Sequence, residues 1–263
     1  MQRRIPFVVT LLAWAAFVAP GPVSTEPVTV RHPEGLVHGF LALHALDGAL
    51  LASGDVLQHV TADRVTSQVI FHFKDGSIQD ETAVFFQRGR FQLISYHLIQ
   101  RGPAFQQPME MSIDAATGQV SVRYGDEGKE ETESEHLDLP PDVANGIVPI
   151  LLKNLDPAAP LPTVSMVAAT PKPRLVKLML SVAGTDPFSI AGSTRRATHY
   201  VLKVAIGGIA GVVAPILGKQ PPDVHVWVLG GDTPAFLKSE GPLFYRGAPW
   251  RIELTSPVWP NAR

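Results

Sequence analysis

The sequence predicts a mainly β protein: an antiparallel sheet that curves, with one short helix packed on or near its concave face. Three observations predict it. Residues 65–99 contain three β-rich runs, VTSQVIFHF, IQDETAVFFQ and FQLISYHLI, parted by KDGS and RGR. The runs are dense in Val, Ile, Phe, Tyr and Thr, which fit a pleated surface. Asp75-Gly76 and Gly89 supply the residues that tight hairpins require. About eleven such runs recur, most joined by short turns, as in a sheet that curls on itself. Only one stretch, after Pro140, carries apolar residues at helical spacing.

In chain order, Thr25 to Gly35 is an extended leader. Val37 to Leu46 is a strand, turned by Asp47-Gly48 into a returning strand from Ala49 to Val60. Gly54 interrupts that strand and marks a bulge or a close backbone approach. The three central runs follow. Gly102-Pro103 then breaks the chain, and Met109 to Asp114 and Gln119 to Tyr124 form a further pair. Residues 125–138 hold seven carboxylates against Lys129 and read as a solvated acidic loop, because they lack the oxygen-ligand spacing of a calcium loop. The helix is predicted over Asp142 to Lys153: Val143, Ile147, Ile150 and Leu151 share one face, and Asn154 and Pro157 end it. Its economical place is against an open sheet face, as a lid or plug. After a proline-rich connector come Val164 to Ala169, Leu175 to Val182, a turn at Gly184 to Pro187, Ala197 to Ile206, Val224 to Leu229 and Trp250 to Leu254. The domain reading is a leader over residues 1–24 and one β-rich domain over 25–263. That domain holds an N-terminal β group (36–125) and a C-terminal one (163–256).

The leader has the form of a secretory signal peptide: Arg3 and Arg4, an apolar run from Ile5 to Ala19, then small residues. The run is shorter than the ~20 residues that a spanning helix needs, so removal is expected. Without Arg3 and Arg4 the 22 basic residues fall to 20 against 24 acidic ones, and the formal net charge moves from −2 to −4. No basic footprint for nucleic acid remains. The chain has no cysteine, which excludes disulfides, thiolate metal sites, a cysteine nucleophile and a lipid-modified cysteine tether. An exported chain of this size without disulfides points to a periplasm.

No catalytic set emerges. G-x-S-x-G, Ser-x-x-Lys and HExxH are all absent. His38, His44, His72 and His97 are expected at a polar rim, with His97 and His225 among apolar neighbours. Asp80 and Glu81 are adjacent and face opposite sides of a strand. Asp80 is expected to share the inner face with Ile78 and Val84. The uncharged run from Ile206 to Gly218 is first a buried hairpin or packed turn. Its alternative is an apolar flap, with a peripheral membrane contact through Ile206 to Leu217.

The C-terminal run VHVWVLGG, then PAFLKSEGPL, then WRIEL, together with the Asp75-Gly76 hairpin, resembles the uncharacterised secreted bacterial proteins of the DUF3108/DUF6134 kind. Through them it resembles the LolA/LolB lipoprotein-carrier fold. The resemblance implies an open antiparallel half-barrel wrapped on a helix. The chain departs from the carriers in its single evident helix and its acidic loop, and no binding residue is carried over. The expected function is non-enzymatic binding of a lipid acyl chain or another hydrophobic molecule, without metal or cofactor. The candidate lining is Phe71, Phe73, Val84, Phe86, Leu93, Tyr96, Ile147, Leu151 and Trp227. The alternative is a structural or partner-binding envelope protein with a filled core. A third reading is a hydrolase using Asp80, Glu81 or a histidine.

Overall fold

Two Asp-Gly pairs set the first hairpins. Asp47 and Asp75 each accept a hydrogen bond from the backbone two residues on, at Ala49 (3.0 Å) and Ser77 (2.9 Å), while Gly48 and Gly76 take φ of 93° and 85°. A computed structural model describes residues 26–126, 128–190, 193–205 and 221–255. The leader expected to be a signal peptide, residues 1–24, and the glycine-rich run from Ile206 to Leu217 lie outside the described residues.

The strands are β1 (Val37–Ala45), β2 (Leu50–Thr61), β3 (Arg64–Phe73), β4 (Ile78–Arg88), β5 (Arg90–Arg101), β6 (Met109–Asp114), β7 (Gln119–Tyr124) and β8 (Glu131–His136). The helix α1 (Val148–Lys153) follows, then β9 (Thr163–Ala168), β10 (Arg174–Ile190), β11 (Ser193–Ala205), β12 (Val224–Leu229), β13 (Ala235–Pro242) and β14 (Pro249–Thr255). All fourteen strands form one open antiparallel sheet in the order β8-β7-β6-β5-β4-β3-β2-β1-β14-β13-β12-β11-β10-β9. The first and last strands therefore meet in the middle, with Leu41 opposite Leu254 and Leu43 opposite Ile252. The outermost strands, β8 and β9, follow one another in sequence. The chain between them must cross the sheet, and this crossing carries α1.

That path explains the curvature. Ile147, Ile150, Leu151 and Leu152 share one buried cluster with Val65, Phe85, Met111 and Val122 from one wing and Val167, Leu178, Tyr200 and Val226 from the other. Both wings must bend toward the helix to reach it. Each fully buried aliphatic side chain there contributes about 1.5–3 kcal/mol. A second cluster under β1–β3 is aromatic: Phe73, Phe105, Phe244 and Trp250 pack at centroid distances of 5.4–5.6 Å.

Three expectations need correction. The helix is shorter than Asp142 to Lys153, because its first half does other work. Ser165 N–H donates to Asp142 O, Ala144 N–H donates to Ser165 O, and the Asn145 amide pairs with both backbone groups of Val167, so residues 142–145 cover the edge of β9. The acidic run is not all loop, since Glu131 to His136 pairs with β7 as an exposed edge strand. Its carboxylates keep that free edge from recruiting another strand. Gly184 to Pro187 is no turn either, because β10 runs through it, with a register shift at Val182/Gly184, into a long arm paired with β11. Gly54 is a close approach: a Cβ there would lie 2.5 Å from the Phe71 ring.

Candidate functional site: a trough on the inner face

Partners in an antiparallel pair point to the same side. On β3, Val65 and Phe71 are fully buried in the core, so Val69, of the same parity, also faces inward. Val69 lies opposite Val56 on β2 and Glu81 on β4, and Val56 lies opposite Gly39 on β1. A Cβ on Gly39 would touch Val56 at 2.9 Å and Leu254 of β14 at 3.4 Å. Gly39, Val56, Val69 and Glu81 thus form a row across four strands, about 14 Å long at the usual strand spacing, and Leu254, opposite Leu41, flanks its Gly39 end. All of them stay partly exposed, and Leu254 is 43% exposed. The parallel rows beside them are closed: Gln58, Ser67, Ala83 and Tyr96 on one side, Gly54, Phe71, Gln79 and Gln100 on the other. The result is a partly open apolar stripe between buried neighbours, here called the trough, with one carboxylate at its end.

The walls are fixed from both sides. Gly146, at φ 72°, rests on β4 and β5; a Cβ there would lie 2.8 Å from Ala83 and 3.1 Å from the Tyr96 ring. On the other side Gln100 donates to Gln79 (2.8 Å) and to Leu243 O (2.9 Å), tying the sheet to the loop that carries Phe244. At the trough's end, Tyr96 O–H donates to Glu81 Oε1 at 2.9 Å. Burial raises the Glu81 pKa above the usual carboxylate range, and the Tyr96 hydrogen bond opposes part of that rise. Burial, then the Glu81 charge and the shared hydrogen bond, push Tyr96 well above an ordinary phenol.

The nine residues expected as lining divide. Phe71, Phe73, Leu93, Tyr96, Ile147 and Leu151 lie on the inner side, each at most 8% exposed. Val84 and Phe86 face outward opposite Thr66 and Arg64, with Phe86 45% exposed. Trp227 is also on the outer face. It stacks on His199 (4.2 Å), lies under Lys238 Nζ (4.0 Å) and donates to Asp186 at 2.6 Å. Asp80 does share a face with Ile78 and Val84, but it is the outer one, where Gln68 donates to both its oxygens. Glu81 holds the inner position instead. Gly39, Val56, Val69 and Leu254 escaped the sequence reading, although an unexplained strand glycine at Gly39 was a usable signal.

Other polar features lie outside the trough. His199 Nε2 and His225 Nδ1 share a hydrogen bond of 2.9 Å, and His97 bonds Glu110 at 3.0 Å. Among the described residues no group of three or more His, Asp or Glu could hold a metal ion, and no helix is long and apolar enough to cross a membrane. A mixed, open groove of about 580 Å³ is lined by Pro108, Met109 and Tyr124 together with Arg101, Glu110 and Arg123.

No family model, curated protein or solved structure matches this chain.

Proposed function

We propose that the protein is a non-enzymatic binding protein for an apolar molecule such as a lipid acyl chain, held along the inner trough. The observation that carries the reading is the contrast between rows. Val56, Val69 and Leu254 stay open on the inner face, while the rows beside them are sealed. Affinity comes from the apolar area removed from water, at ~25 cal/mol per Å². The export expected from the leader would place such a carrier in the periplasm, in keeping with the lipoprotein-carrier resemblance.

The test is to purify the folded protein, extract it with organic solvent and weigh the extract by mass spectrometry. Binding of an apolar dye is then measured in the wild type and in Val56→Trp, which fills the trough. Co-purified lipid and a dye signal abolished by Val56→Trp support the reading. An empty extract, with dye signal only on unfolding, ends it.

A second reading keeps one observation in its favour. Beneath the helix the molecule is packed solid, with Ala144, Ile147 and Leu152 at most 1% exposed. This suits a partner-binding envelope protein with a filled core, and a trough that binds nothing would leave it standing.

A further inference from the structure

We propose that the trough selects an amphiphile with a cationic amine head, which pairs with Glu81 while its tail lies along Val69, Val56 and Leu254. The inference rests on the apolar-trough reading above and names the ligand class.

Glu81 is the one charged side chain in the row. Its Oε1 accepts from Tyr96, and among the described residues no Lys, Arg or His pairs with it. Among the described residues Oε2 has no hydrogen-bond partner. Among the described residues the only sealed side-chain polar atom lacking a partner is Thr163 Oγ1, so Oε2 is not fully sealed and keeps some contact with solvent. On the side of Phe71 the inward polar groups are already used, since Gln79 and Gln100 bond each other and Leu243 O.

A half-desolvated carboxylate with a single neutral donor is costly to keep charged without a counter-ion. The buried acids elsewhere in this fold show the usual solution. Asp142 has Lys177 at 3.2 Å, and Glu34 has Lys153 at 2.6 Å. At Glu81 the described residues supply no such cation. A ligand ammonium would supply it through a charge-assisted hydrogen bond to Oε2. A fatty acid would set one carboxylate against another, and a fatty alcohol would leave the charge unbalanced. Tail and head also match in direction, because the Gly39 end of the row is flanked by the apolar, exposed Leu254 and the other end carries Glu81.

The experiment is displacement of a bound apolar dye by dodecylamine, dodecanol and dodecanoate, each below its micelle concentration, near neutral pH. Dodecylamine should displace the dye at a concentration about tenfold below dodecanol, the ratio expected of one charge-assisted hydrogen bond, with dodecanoate weakest. In Glu81→Gln the amine and the alcohol should converge while dodecanol stays where it was. In Tyr96→Phe the amine preference should persist, because the carboxylate remains. Equal displacement by all three, or a preference that survives Glu81→Gln, overturns the cationic head and leaves the apolar reading intact. Displacement by none of them overturns both. The wild-type ranking alone decides the matter should Glu81→Gln fail to fold.

Discussion

Gly146 carries two constraints at once. Its φ of 72° is the left-handed region that side chains avoid, and its missing Cβ leaves room for Ala83 and Tyr96. Gly146→Ala should lower stability by about 1–3 kcal/mol, read as a fall in the urea midpoint at unchanged slope. His199 makes a different prediction. Partial burial lowers its pKa below 6.5, the neighbouring His225 and Lys238 add to that, and Asp186 and Glu240 oppose it. The folded protein therefore resists a proton that the unfolded chain accepts. Stability is full above about pH 6.5 and declines as pH falls through that value. His199→Gln should reduce the drop in urea midpoint between about pH 7.5 and about pH 5.5, and an unchanged drop would assign the acid sensitivity elsewhere. Glu81 acts with the opposite sign. Its pKa is raised on folding, so its penalty appears as pH rises above 4.5, and Glu81→Gln should flatten that part of the profile.

At the level of elements, the segment before α1 acts as a seal. Asn145 is 3% exposed, and its amide donates to Val167 O and accepts from Val167 N, both at 2.9 Å, as a neighbouring strand would. Asn145→Ala leaves both backbone groups buried and unpaired, at a cost of about 2–4 kcal/mol. Amide exchange at Val167 should then accelerate by more than global unfolding explains, and uniform acceleration would deny Asn145 this local role. The same segment shows where sequence pattern stops being informative. The periodicity of Val143, Ile147, Ile150 and Leu151 is real, and Ile147, Ile150 and Leu151 do face one core. It reads equally well for a turn-rich segment that lays apolar residues on a sheet, and only Gly146 marked the break. Hairpins with Asp-Gly corners were legible because the turn chemistry is local. Strand β8 was hidden because its carboxylates obscure any alternation, and β10 because Gly184 and Pro187 imitate a turn. The site was harder still. In β4 both parities are apolar at Ala83, Val84, Phe85 and Phe86, so alternation could not tell inside from outside. Only the register against β3 places Glu81 inward and sends Val84 and Phe86 to the other face.

For the whole molecule the decisive pairing is the most distant one. β1 meets β14 along Phe40–Ala45, and every other strand pair joins consecutive strands within one wing. The wings are held together by that ladder and by the shared core around α1. Neither wing is expected to fold alone. The inner residues Met111, Val120 and Val122 of the first are buried in the same cluster as Val164, Leu178 and Val226 of the second. Loop-closure entropy must be met before the β1–β14 ladder forms, so folding should be slow for the chain's size. A chain ended after Ala248 loses β14 and with it Trp250 and Ile252, which pack against the aromatic cluster under β1–β3. Such a chain should show no cooperative urea transition and should bind an apolar dye at zero denaturant, because both wings then expose their inner faces. Ile252→Ala is the matched control. It trims one side chain but keeps the ladder, so it should retain a single transition, weakened by about 1–3 kcal/mol. If the shortened chain unfolds cooperatively near the full-length midpoint, at least one wing folds alone. The helix would then be a tether between two independent sheets, and the trough, which spans β14 to β4, would have no structural reason to persist.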